Sequence, residues 1–246
     1  MTCRVMGIVN VTPDSFSDGG KYFSPEEALR RVRNLIAEGA DIIDLGGEST
    51  RPGAAPLGWE EEWARLEPVL EGLSPAERSS VPVSVDTYHP ETAERALALG
   101  ARIVNCVSAA AVPAMAELVR ARPGTELVLP CRPGEEPQRL CGLSAADFAE
   151  LEPRLYLDPM IGFGTTREED LALLKAIPEL ARRGRVLVGA SRKRIVKKLV
   201  GTKVPGKDLA GNLAIAVWAA LNGAEVVRVH DVRETVQAVK VVAALS

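Results

Sequence analysis

The sequence predicts a (β/α)8 barrel, and three observations carry that expectation. Short apolar runs alternate with helix-period stretches, and the strand-then-helix unit repeats eight times. The length of 246 residues suits a single α/β barrel. No GxGxxG follows the first strand-like run, which disfavours the alternative, a doubly wound open sheet. No linker is visible, so one domain over residues 1–246 is expected.

Composition narrows the function classes. Hydrophobic residues make up 46% and charged residues 26%, the balance of a soluble chain with a large core. A net charge of −3 argues against general nucleic-acid or membrane-surface binding and leaves room for a local basic pocket. No apolar run reaches membrane-span length, and "MTCRVMGIVN" runs straight into a strand pattern without a signal peptide. A cytoplasmic protein is expected. Cys3, Cys106, Cys131 and Cys141 show no CxxC spacing and read as reduced, buried thiols. Two histidines in the chain give a zinc site little support.

The strand-like runs, in order, are "RVMGIV", "DIIDL", "PVSVD", "ARIVNC", "ELVLP", "RLYLD", "RVLVGA" and "EVVRV". Ser24-Pro25-Glu26-Glu27 opens the first helix with an N-cap, an N1 proline and an acidic first turn. Gly39, Gly100, Gly184 and Gly223 end helices just before strands, where left-handed caps are expected. The connections at 11–23 and 46–58 are long and glycine-bearing. The fifth unit is short, and 131–143 reads as irregular loop.

In such a barrel the reacting groups sit at the C-terminal ends of the strands. Those ends are read at Asn10, Asp44, Asp86-Thr87, Asn105, Asp158, "GASRK" and Arg228, with His230 just beyond. Strand five, ending Pro130-Cys131, offers no strong polar group. Taken singly, Asp44, two residues before Gly46, and Asp158, next to Pro159, read equally well as turn formers or N-caps. Taken together, acids on the early strands and cations on the late ones suggest a ligand with two poles. One pole donates hydrogen bonds to carboxylates and the other is an anion. In the basic run Arg192-Lys193-Arg194, the place after strand seven moves Ser191, Arg192 and Lys193 to the mouth. Arg194 stays a solvent-facing helix residue.

At these residues the chain resembles dihydropteroate synthases, of the pterin-binding barrel superfamily. "MGIVNVTPDSFSDGG" and "DLGGESTRPG" are similar to the family's two signature loops, and "SVDT", "VN", "LDPMIGFG", "GASRK" and "RVHDV" follow in order. The matches run from Met6 to Asp231. The resemblance implies that 4-aminobenzoate displaces diphosphate from (7,8-dihydropterin-6-yl)methyl diphosphate. It implies that Asp158 accepts from the pterin's amino-pyrimidine edge, that Asp86 and Asn105 complete its hydrogen bonds, and that Phe163 packs beside it. Lys193 would meet both substrates, with Ser191 and Arg192 near the aminobenzoate carboxylate. Asn10 would ligate Mg2+, and Arg228, His230, Thr50 and Arg51 would receive the diphosphate. Lys193, Asp86 and Arg228 are the expected catalytic residues.

Three departures from the family pattern fall on strands four to six. Cys106 stands where an Asp usually follows the strand-four asparagine, "VLPCRPG" replaces a Met-His-Met type segment, and Thr165 replaces the lysine after "GFG". The remodelled wall leaves two alternatives to a synthase: a diverged binder of a pterin-like ligand, and a pterin-dependent methyltransferase. The resemblance also implies a homodimer. "NLAIAVWAALNG", with Trp218, would suit its interface, or would be an ordinary core-facing helix.

Overall fold

Eight parallel strands pair in sequence order and close on themselves, β1 against β8, as expected. The structure is a computed structural model that describes residues 3–12, 24–48, 56–202, 204 and 207–245. The strands are β1 (Arg4–Asn10), β2 (Ile42–Gly46), β3 (Val83–Asp86), β4 (Ile103–Asn105), β5 (Glu126–Pro130), β6 (Leu155–Asp158), β7 (Arg185–Val188) and β8 (Val226–Val229).

Side chains alternate across a strand, so residues two apart share a face. That rule sorts the barrel interior into layers. Met6, Ile42, Ile103, Val128, Tyr156, Leu187 and Val226 form an apolar cluster of their own inside the barrel, apart from the larger core between strands and helices. One step of two toward the strand ends from this layer come Ile8, Asp44, Asn105, Asp158 and Arg228. One step the other way come Arg4, Glu126 and Arg185. Outward-facing residues such as Val5, Ile43, Leu45, Val85 and Leu129 are buried under the helices.

The lower layer is a charged floor. Arg185 pairs with Glu126 at 2.6 Å and Glu225 at 2.9 Å, and Arg4 also reaches Glu225 at 2.9 Å. Both guanidinium groups donate to the Tyr156 hydroxyl. Arg185 lies 3.9 Å from the centroid of the same ring. Tyr156 therefore satisfies the apolar layer with its ring and the floor with its phenol.

The helices are α1 (Pro25–Ala37), α2 (Trp59–Gly72), α3 (Pro75–Ser80), α4 (Pro90–Ala98), α5 (Val112–Arg120), α6 (Pro137–Leu140), α7 (Ala145–Leu151), α8 (Arg167–Lys175), α9 (Ile177–Ala181), α10 (Arg194–Val200), α11 (Leu209–Leu221) and α12 (Val232–Leu245). Ser24 caps α1 as expected, accepting from the Glu27 N–H at 3.3 Å. The continuous helix read over 167–184 is divided into α8 and α9, with Pro178 in the first turn of the second. The stretch 131–143 is not wholly irregular, because it contains α6 followed by a buried Cys141.

Gly39, Gly100 and Gly223 adopt the left-handed conformation expected of helix ends, whereas Gly184 does not. A Cβ at Gly184 would stand 3.3 Å from Leu157 Cδ1, so that glycine serves close approach to β6 rather than a left-handed turn. Among the described residues no helix is long and apolar enough to cross a membrane.

Candidate active site

The polar residues of the mouth assemble in three groups. The first joins β2, β3, β4 and β8. Arg228 Nε donates to Asp44 Oδ2 at 2.6 Å, and its Nη2 donates to Asp86 Oδ2 at 2.7 Å. Asn105 Nδ2 leans on the same Asp44 oxygen at 3.4 Å. Asp44 is 0% exposed and lies inside β2, opposite Ser84 of β3. This settles the turn-former alternative against Asp44. The strand continues to Gly46, and a side chain there would fill the space beside Asn10 and Asp86. Burial and the Asp44 charge push the Asp86 carboxyl up to about 7, against the pull of Arg228.

The second group joins β6 to the loop after β7. Asp158 is buried at the end of β6, and its Oδ1 accepts the N–H of Met160 at 2.7 Å. That bond steadies Met160, whose φ of 65° is left-handed. Lys193 Nζ donates to the Ile161 carbonyl at 2.5 Å and sits 4.3 Å from the Phe163 ring centroid. Its stem crosses Gly162, where a Cβ would meet Lys193 Cδ at 2.8 Å. Burial pulls the Lys193 ammonium down to about 8, with Asp158 opposing the fall and Arg228 adding to it. Burial likewise pushes the Asp158 carboxyl up.

The third group faces a cavity of about 420 Å³ lined by Ile8, Val9, Asn10, Arg31, Glu38, Arg192, His230, Asp231 and Glu234. Ser191 Oγ stands 3.1 Å from His230 Nδ1 and accepts the His230 backbone N–H at 3.2 Å. Arg31 donates to the His230 carbonyl at 2.8 Å. Arg192 pairs with Asp231 at 2.6 Å. The left-handed Arg192, φ 59°, is held by its N–H bond to Asn212 Oδ1 at 2.8 Å.

Two expectations change against this geometry. Arg228 was grouped with His230 as an anion receiver, but its guanidinium turns to Asp44 and Asp86 and does not line the cavity. The reason is register: Arg228 is one interior step below His230, at the level of Asp44. Arg194 is exposed as expected, yet its guanidinium also donates to the Thr165 carbonyl, tying α10 to the β6 loop. Thr50 and Arg51 lie outside the described residues.

The departures on strands four to six are accommodated by burial. Cys106 Sγ donates to the Ser108 carbonyl at 3.4 Å, and Cys141 Sγ to the Pro130 carbonyl at 3.5 Å. Cys131 is fully buried at the top of β5. Burial pushes the thiols of Cys106 and Cys141 up to about 12 and that of Cys131 to about 11, so none is a ready nucleophile. Thr165 Oγ1 accepts from the Gly162 N–H at 3.1 Å and donates to the buried Asp170 at 2.5 Å. Asp170 also accepts the Gly162 N–H at 2.7 Å. This hydrogen-bonded brace on Asp170 holds the loop that carries Phe163.

Asn212 and Asp170 were not among the expected site residues, and Asp44 was expected as a strand end without a role of its own. For Asp44 the signal was present, since it falls two residues after Ile42 on the interior face. Asn212 and Asp170 lie in the first turns of α11 and α8 and hold the loops before them, Asn212 at Arg192 and Asp170 at Gly162 and Thr165. No pattern of spacing marks them.

A parallel barrel with buried carboxylates and a desolvated lysine at its mouth has the build of a barrel enzyme, and the "Pterin binding enzyme" family model, matching residues 6–139 and 142–230, gives its class. The chain belongs to the dihydropteroate synthase family. It is 42% identical to the dihydropteroate synthase of Mycobacterium leprae, over 98% of this chain and 93% of that one. It is 40% identical to the Escherichia coli enzyme, over 98% and 91%. Among solved structures, Xanthomonas albilineans dihydropteroate synthase with 4-aminobenzoic acid superposes with a TM-score of 0.84 at 40% identity, over 99% of this chain and 93% of that one. The same organism's enzyme with 7,8-dihydropteroate gives 0.82 at 37% identity, over 99% and 94%.

Proposed function

We infer that the protein is a transferase of folate biosynthesis that joins 4-aminobenzoate to (7,8-dihydropterin-6-yl)methyl diphosphate, giving 7,8-dihydropteroate and diphosphate. The observation that carries this reading is the pairing of a buried acceptor, Asp158, with a desolvated cation, Lys193, beside the Phe163 ring. An amino-pyrimidine edge presents two adjacent donors to a carboxylate, and its ring stacks on an aromatic face. Asp86 and Asn105 take the remaining pterin hydrogen bonds.

The reaction follows from charge flow. The electron-rich dihydropterin stabilises a cationic methylene, so the C–O bond to diphosphate breaks early. His230, Arg228, Thr50 and Arg51 stabilise the departing negative charge. Ser191 and Arg192 hold the carboxylate of aminobenzoate, and its amine attacks the methylene. No protein nucleophile is required.

Asn10 suits a magnesium ion: it offers a hard oxygen beside the cavity, and Mg2+ takes few protein ligands when phosphates supply the rest. Among the described residues no group of three His, Cys, Asp or Glu side chains could hold a metal by itself. When bound, the ion would neutralise diphosphate charge.

The test is release of diphosphate by the purified protein. Release that depends on 4-aminobenzoate is expected; pterin binding without release would make the protein a binder. Asp158→Asn and Lys193→Ala are expected to abolish product formation, and wild-type turnover in either would overturn their roles.

A homodimer through α11 and its neighbours fits the same reading. Trp218 is 47% and Leu221 60% exposed on α11, with Val241 of α12 and Leu199 of α10 also exposed. Sedimentation should give twice the chain mass, and Leu221→Glu should give a monomer. The four buried, unpaired thiols suit a reducing, cytoplasmic setting.

A further inference from the structure

Arg228 does not face the cavity in the way a diphosphate receiver would. An anion-binding guanidinium should face the anion, yet both of its recorded hydrogen bonds go to carboxylates. Those two carboxylates differ. Asp44 is 0% exposed, lies in the middle of β2, and is fixed by parallel ladders to β1 on one side and β3 on the other. Asp86 is the last residue of β3, its side chain 13% exposed at the mouth, where the pterin would bind. The two bonds also use different nitrogens: Nε, next to the stem, holds Asp44, and the outer Nη2 holds Asp86.

We propose that Asp44 is the positioning residue of Arg228, a fixed counter-ion on which the guanidinium pivots as Nη2 exchanges Asp86 for the substrate's diphosphate. The proposal rests on the synthase reading. Pterin N–H groups compete for Asp86. Once they take it, Nη2 loses its partner, and a buried guanidinium N–H without a partner is costly. The nearest remedy is an anion at the mouth. The bond from Nε to Asp44 persists through the exchange, so the charge swings without leaving the barrel wall. Pterin and diphosphate therefore bind with positive coupling, carried by one side chain with two partners.

Asp44→Asn is a mild change in shape. The amide matches the carboxylate in size, and its oxygen can still accept from Asn105 Nδ2, which leans on Asp44 Oδ2 at 3.4 Å. It removes the fixed charge and leaves the packing. Calorimetry with inorganic diphosphate, with and without saturating 6-hydroxymethylpterin at fixed Mg2+, reads the coupling directly. In the wild type, the pterin should tighten diphosphate binding by about five-fold or more. In Asp44→Asn that gain should vanish while the pterin still binds. Asp86→Asn gives an independent test: with the competitor gone, diphosphate alone should bind the variant more tightly than the wild type.

Wild-type coupling in Asp44→Asn, or weaker diphosphate binding in Asp86→Asn, overturns the proposal alone. Absence of pterin binding by the wild type sinks the synthase reading and the proposal with it. A merely structural role for Asp44 would lower both affinities in Asp44→Asn and leave their ratio unchanged.

Discussion

Lys193 owes its place to small facts about its neighbours. Gly162 leaves room for its stem, the Ile161 carbonyl accepts a hydrogen bond from its ammonium, and the left-handed Arg192 before it is fixed by Asn212. Removal from water brings its ammonium down to about 8, while burial raises Asp86 to about 7. The signs are opposite in effect. Below the Asp86 value that residue is protonated and accepts from pterin poorly. Above the Lys193 value the cation is gone. The pH profile of kcat/KM should be a narrow bell with its maximum between the two values. Lys193→Arg should remove the alkaline limb, because a guanidinium keeps its proton. An alkaline limb unchanged in that variant would place the titration elsewhere. Of the residues in this mouth, those that end strands were legible in the sequence, because a polar residue closing an apolar run stands out. Asp44 was less legible: the Gly-Gly after it imitates a turn, although the strand goes on to Gly46.

Elements behave the same way, with starts clearer than interruptions. The cap of α8 is a reciprocal pair, Thr166 Oγ1 accepting from the Glu169 N–H at 3.2 Å and Glu169 accepting from the Thr166 N–H at 2.6 Å. Removing its hydroxyl by Thr166→Ala should cost about 1 kcal/mol of stability in urea unfolding. A variant as stable as the wild type would mean that the cap is redundant with packing. The eight strands were all found from runs of apolar and β-branched residues. Short helices were not: α3 and α6 are too brief to show a helical period, at 6 and 4 residues. The division between α8 and α9 was missed because Pro178 sits within an apolar pattern that continues across it.

At the scale of the whole molecule, the barrel separates what holds it shut from what it does. An apolar layer stands between the charged floor and the mouth. Tyr156→Phe removes the oxygen that accepts from Arg4 and Arg185. It should cost about 1–3 kcal/mol, because charge-assisted donors lose a buried acceptor. Turnover per folded molecule should be unchanged, and a fall in kcat at full folding would show that floor and mouth communicate. The sequence carried the barrel as a whole, because eight repeats of one pattern reinforce each other. It did not carry the floor, whose members come from β1, β5, β6, β7 and the start of β8 and meet only on closure.

The buried thiols carry a consequence of another kind. Cys3 stands at the β1–β8 seam, Cys106 after β4, and Cys131 and Cys141 on the altered sector beyond β5. Each is shielded, and burial holds each in its protonated form, so a thiol reagent finds almost nothing to attack while the barrel is shut. Labelling then proceeds only through opening. The chain carries its own set of clocks: one at the closing seam and three along the remodelled wall, each ticking when its own stretch of the barrel breathes.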